Sequence, residues 1–142
     1  MTSRLAALFV WASLVALPAG ATDGLPVSFV SSVCEADSLV VGRVVAVRSE
    51  WTGRWVETEA IVETAEGPAA VRTIGGEVDG IGTWVSGAAR FERGTRVAVL
   101  ARRTTRGLVP VRGERSVLRV DEAGGPSEGD VLASVEWIWR QP

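Results

Sequence analysis

The sequence has no His, Lys, Tyr or Asn, and a single Cys in 142 residues. Every basic side chain is therefore one of 15 Arg, set against 17 Asp and Glu for a formal net charge of −2. Without His there is no Ser-His-Asp triad and no imidazole to hold a metal. Without Lys there is no Schiff-base amine and no Walker-type phosphate loop. Lys, Asn and Tyr have AT-rich codons, so a GC-rich genome accounts for this alphabet without selection for Arg chemistry. Long apolar runs are scarce too. The longest, Leu5–Leu17, falls short of the roughly 20 residues that span a bilayer. The remaining chain is enough for one core and too short for two. These absences point away from an enzyme, and no cofactor or metal is expected.

The short apolar run reads as an address. Arg4 supplies a positive n-region, Leu5–Leu17 an apolar stretch, Pro18 a break, and Ala19-Gly20-Ala21 the small residues of a cleavage site after Ala21. The expected organisation is a signal peptide over 1–21, a β-barrel domain over 22–120, and an acidic linker with a C-terminal helix over 121–142. Cleavage removes Arg4 and no acid, leaving 14 Arg against 17 acids and a net charge of −3. The mature protein is expected to be exported, periplasmic or extracellular, without stable membrane insertion. Cys34 has no partner for an internal disulfide, so the core must hold the fold unaided. It lies too far beyond the apolar run for a lipidated cysteine, and is expected as a small buried apolar side chain.

Periodicity then sets the elements. Val27–Glu35 places Val27, Val30, Val33 and Cys34 at helical spacing, a short amphipathic helix. Ser38–Arg48 is a Val-rich strand in which Gly42 marks a bulge or sharp bend. A Gly-centred turn over Glu50–Arg54 leads into Trp55–Thr64, which alternates. Val56, Thr58, Ala60 and Val62 form the expected core face; Trp55, Glu57, Glu59, Ile61 and Glu63 form the expected solvated one. Ala69–Ile74 and Arg96–Ala101 are further strands, separated by the glycine-rich stretch Gly75–Gly82. Leu108–Val111 and Ser116–Val120 are expected as a hairpin-like pair around Gly113. Asp130–Trp139 spaces Val131, Leu132, Val135, Ile138 and Trp139 as a helical stripe with Asp130 as N-cap, an edge strand being the alternative. Together these predict a mainly β fold: a small closed or partly open antiparallel barrel, OB-like, with a short N-terminal and a C-terminal helix.

Charge is uneven. Arg96–Arg119 holds seven Arg against Glu114 alone, and Asp121–Glu136 answers with five acids and no Arg. The Arg block is either an anion-binding face or a solvated hairpin under an acidic tail that folds back over it, and the second reading is favoured. An acidic pI of 5.2 and export argue against nucleic acid. Trp51, Trp55, Trp84, Trp137 and Trp139 are either core fillers or stacking surface. Glu57 and Glu59 stand about 7 Å apart on one strand face, an inverting-glycosidase spacing that any solvated strand also shows. Asp79 and Glu77 are too few ligands for calcium.

Two stretches carry a resemblance. Ala36-Asp37-Ser38-Leu39-Val40-Val41-Gly42-Arg43-Val44 matches an opening A-D-x-V-V-x-G-x-V. Gly75-Gly76-Glu77 and then Val85–Leu100 (VSGAARFERGTRVAVL) follow a pattern G-G … V-x-G-x-P-x-F-x-x-G-x-x-V-V-L-F. Over residues 27–120 the chain resembles uncharacterised secreted bacterial proteins with a netrin-like, or TIMP-like, OB barrel, often encoded near matrixin-type metalloproteases. Ala89 and Ala101 stand where that group usually has Pro and Phe. The resemblance implies a protein partner, with a secreted metalloprotease as a candidate. TIMP-like inhibitors chelate zinc through an N-terminal cysteine; here cleavage leaves Thr22, with Cys34 twelve residues on, so that mechanism does not carry over.

The expected function is a non-enzymatic exported module that recognises another macromolecule at the envelope or outside the cell. Its alternative is an anionic-ligand or carbohydrate-binding module using the Arg-rich hairpin and exposed Trp. The candidate contact residues are Trp84, Phe91, Arg102, Arg103, Arg106, Arg112 and Arg115, with Phe91 read preferentially as a core plug.

Overall fold

Val, Thr and Ala alternate through the middle of the chain, and these runs become strands in the computed structural model, which describes residues 25–142. The expected signal segment and its cleavage site at Ala21 lie outside the described residues. The elements are α1 (Val27–Ser32) with a 3-10 turn (Val33–Glu35), β1 (Ser38–Trp51), β2 (Val56–Thr64), β3 (Gly67–Ile74), β4 (Gly76–Val78) and β5 (Ile81–Thr83). They continue with β6 (Arg96–Thr104), β7 (Gly107–Pro110), a second 3-10 turn (Gly113–Ser116), β8 (Val117–Arg119) and α2 (Glu128–Trp139).

Five strands close a barrel in the order β1-β2-β3-β7-β6, with β6 pairing back onto β1. The fold is the small, closed, mainly β barrel that the sequence led us to expect. One pair departs from the expected antiparallel pattern: β3 and β7 run parallel, with Val71 beside Leu108. The long connection after β3 delivers β6 to the far side against β1. Its hairpin partner β7 then fills the remaining gap running the same way as β3.

Closure depends on a bend in β1. Its first half, Ser38–Arg43, pairs with β6, and its second half, Arg43–Trp51, pairs with β2. Gly42 sits where the strand changes partners, and a Cβ there would lie 1.9 Å from the Glu63 carbonyl oxygen. The register slips between Val44 and Ala46. The expected bend at Gly42 is present, with the bulge just beyond it.

β6 is buried on both faces, which is why it reads as a continuous apolar run rather than an alternating one. Val97, Val99 and Ala101 face the barrel interior with Val44, Ala60, Val62, Val71 and Phe91. Ala98 and Leu100 face outward and are covered by Phe29 and Val33 from the N-terminal helix and by Val131 and Val135 from α2. The C-terminal segment is thus a helix packed on the barrel, not an edge strand.

Four local expectations need correction. The inward residues of α1 are Phe29 and Ser32, continued by Val33, while Val27 is 84% exposed. Phe29 has the most apolar area to bury, and Ser32 tolerates burial because its hydroxyl donates to the Ser28 carbonyl (2.8 Å). That rotation leaves Cys34 exposed rather than buried. β7 and β8 do not form a hairpin; they lie end to end along one edge of β6, with the second 3-10 turn between them. The N-cap of α2 is Ser127, and Asp130 completes a capping box from the third helical position.

Candidate functional site

The β1–β2 hairpin overshoots the barrel, and the segment Gly75–Phe91 folds against the overhang. Between them lies a cavity of about 490 Å³. Phe91 and Ala89 form its floor, and both belong to the barrel core, with Phe91 only 9% exposed. Phe91 is therefore the plug of the barrel, and it meets the cavity only as its floor. One wall is the inner face of the overhang, with Val47, Ser49, Thr58 and Thr73. The β4–β5 hairpin closes another side. Gly76 is essential to that closeness: at φ +127° it brings its Cα against Thr58 and Ser49, whose oxygens would lie 2.4 and 2.6 Å from any Cβ.

The wall is polar in a defined direction. Thr58 Oγ1 donates its one hydrogen to the Gly75 carbonyl (2.6 Å), so across the 2.7 Å contact Ser49 is the donor. Thr83 Oγ1 accepts from the Val56 amide (3.0 Å) and Thr73 donates to Ala89 (3.3 Å). The rim is apolar and exposed. Trp84 is 75% exposed, and Ile74 and Val85 stand beside the same opening. The Arg90 guanidinium lies 3.5 Å from the centre of the Trp84 ring, and Arg90 makes no ion pair among the described residues. Arg90, Ile74 and the four hydroxyls were not singled out in the sequence. Of these, Thr58 sat on the strand face that reads as core, because only the overhang opens that face to the cavity.

The Arg block is largely committed. Arg106 forks onto Glu57 (2.9 Å), Arg102 donates to the Glu35 carbonyl (2.9 Å), and Arg112 binds the Glu35 carboxylate and Ser31. Arg103 offers its amide to Asp37 (3.0 Å), and its guanidinium, like that of Arg115, has no acidic partner among the described residues. The acidic tail covers only the flanks: Asp121 and Glu128 meet Arg96, and Glu122 meets Arg119. Arg112 and Arg115 come together with Ser86, Gly87 and Glu114 in a second recess, while the Trp84 ring is met by Arg90.

Glu57 corrects the expectation that its strand face is solvated. Its carboxylate is 9% exposed, held by Arg106, by Arg72 (3.6 Å) and by the Trp55 indole N–H (3.2 Å). Arg72 also meets Glu59 (3.1 Å) and Glu50 (3.7 Å). The Glu57–Glu59 pair is bridged by arginine, an arrangement of ion pairing rather than of a carboxylate dyad open to substrate.

Glu35 and Asp37 strap the N-terminal helix to the β6–β7 hairpin. Hydrogen bonding from Arg112 holds Glu35 below the usual carboxylate range, and bonds from Ser38 and the Arg103 amide do the same for Asp37. Lowered values in the fold mean that this contribution is complete above the ordinary carboxylate pKa. It is lost as pH falls through the lowered values. Glu35→Gln is therefore expected to be less stable than the parent at neutral pH and to converge with it in acid. Urea midpoints measured against pH check this, and a gap that stays constant would contradict it.

No family model, curated protein or solved structure matches this chain.

Proposed function

We propose that this protein is a non-enzymatic, exported binding module whose cavity beside Trp84 receives an apolar or aromatic side chain of a protein partner. Trp84 carries the reading. A water-facing indole at the mouth of a cavity has no part in holding the barrel, because Phe91 already fills it. Ile74, Val85 and the hairpin-tip Ile81 extend the apolar rim. The commitment of Arg106 and Arg112 to carboxylates weighs against the anionic-ligand alternative. Export rests on the signal-like pattern ending at Ala21, and the netrin-like resemblance makes a secreted metalloprotease the first partner to try. Zinc chelation plays no part in this reading.

The test uses residues 22–142 as bait against envelope and secreted fractions of the host, with cross-linking at low and high salt. A saturable protein partner that survives high salt and binds at least about thirtyfold more weakly to Trp84→Ala is the expected result. Binding that vanishes with salt, ignores Trp84→Ala and falls on Arg103→Gln or Arg115→Gln would transfer the function to an anionic ligand.

A further inference from the structure

We propose that two copies of this chain associate edge to edge through the second half of β1, as antiparallel strands related by a two-fold axis at Ser49.

β1 has β6 beside it only in its first half. β6 leaves β1 at Arg43, and from Ala46 to Trp51 the strand has β2 on one side and no strand on the other. The turn fixes which backbone groups face outward. Thr52 N–H donates to the Trp55 carbonyl (2.9 Å), and Val56 turns its carbonyl away from β1 to accept from Gly75 (2.8 Å). Glu50, Arg48 and Ala46 therefore make the ladder bonds to β2. Trp51, Ser49 and Val47 direct their N–H and C=O groups to the open side, where they have no partner among the described residues. Such a row is a template for another strand. Two of its side chains are exposed apolar groups, Val47 at 39% and Trp51 at 53%.

The sequence of the edge matches itself. With the axis at Ser49, Ser49 faces Ser49 and Val47 faces Trp51 of the second copy, all of them residues whose backbone groups point outward and can bond reciprocally. Arg48 then faces Glu50 of the second copy at a non-hydrogen-bonded pair, where side chains are closest. Charges on an edge strand ordinarily repel a second chain, but here opposite signs two residues apart make the edge attract its own copy. Both are available, with Arg48 75% and Glu50 58% exposed. The match extends across the sheet. In each chain Arg72, Glu59 and Arg48 form a row at 3.1 and 3.5 Å, and Glu50 of the second copy continues its alternation of sign. The same symmetry buries two Val–Trp contacts. A two-fold axis makes every such contact occur twice, as closed dimers require.

The edge shares Val47 and Ser49 with the wall of the Trp84 cavity, but pairing would use their backbone groups together with Arg48 and Glu50, so Arg48→Glu tests the edge and Trp84→Ala tests the binding reading. Sedimentation equilibrium of residues 22–142 over a range of concentrations, with hydrogen exchange at single-residue resolution, is the measurement. The expected result is a reversible dimer in which the Val47, Ser49 and Trp51 amides become protected. Arg48→Glu and Glu50→Arg should each weaken it about tenfold or more, since each change acts at two sites. The double variant Arg48→Glu/Glu50→Arg should recover it. Ser49→Pro should abolish dimerisation while leaving the barrel folded, because the lost N–H faces the open side. A monomer at every concentration would overturn the proposal. So would a dimer insensitive to Arg48→Glu and Ser49→Pro, or one broken by Trp84→Ala. Protection of these amides only when a foreign protein is added would assign the edge to that protein's strand and overturn pairing between copies.

Discussion

Replacing Gly42 with Ala is expected to destabilise the protein by about 3 kcal/mol or more, a large share of its total stability. A Cβ at this position meets backbone, the Glu63 carbonyl oxygen at 1.9 Å and its carbon at 2.7 Å. Side chains can rotate out of such a clash; a strand carbonyl cannot, because β2 is pinned by β1 on one side and β3 on the other. Relief would require opening the β1–β2 ladder where the barrel closes. A domain of this size has only about 5–15 kcal/mol in hand. Gly129→Ala is the matched control. That glycine lies within α2, and the nearest atom to its Cβ would be Ser127 Oγ at 3.9 Å. Helix propensity alone should make it stabilising by about 0.5–1 kcal/mol. Urea unfolding of both variants checks the pair, and a Gly42→Ala protein as stable as the parent would refute the argument for how the barrel closes.

Gly42 also shows what could be read in the sequence. A glycine within a Val-rich strand has few uses other than a bend or a close approach, and here it serves both. Alternation placed Val56, Thr58, Ala60 and Val62 inward correctly: all four are buried, Ala60 and Val62 in the barrel core and Thr58 at the wall of the cavity beyond it. Pairing partners were less legible. β7 and β8 looked like a hairpin because two short strands flank a glycine, yet both pair with β6, β8 along Val97–Val99 and β7 along Ala101–Thr104 of the same edge. The rotation of α1 failed for a related reason. Three valines and a cysteine outvote one phenylalanine and one serine in a count of apolar positions. Burial of Phe29 and a satisfied Ser32 hydroxyl decide it in three dimensions.

The candidate site was legible in part. Arginines rich enough to suggest an anion-binding face turn out to have acidic partners remote in sequence, Glu35 for Arg112 and Glu57 for Arg106. The nearby acidic tail, the natural guess, takes only the flanking Arg96 and Arg119. Local charge counts reveal neutralisation by neighbours and are blind to strands that meet only on folding. The wall hydroxyls of the cavity escaped notice for the same reason, as did the unpaired edge of β1. A strand that changes partners halfway along looks, in one dimension, like any other.

Trp84 and Phe91 form the sharpest test of the distinction between scaffold and surface. Seven residues apart on one connection, both were candidates for the same contact, and the structure assigns them opposite environments. Phe91→Ala is expected to cost about 3–5 kcal/mol, because it removes the plug of a barrel whose other interior side chains are Val and Ala and too small to close the gap. Trp84→Ala is expected to change stability by no more than about 1 kcal/mol. The 75% exposed ring loses little burial, and its stacking on Arg90 is a surface contact. Urea midpoints for the two variants, measured beside partner binding, separate the roles. Phe91→Leu should restore most of the stability and retain binding, whereas Trp84→Leu should stay stable and bind poorly. A Trp84→Ala protein as unstable as Phe91→Ala would make the indole part of the core and remove the observation on which the binding module rests.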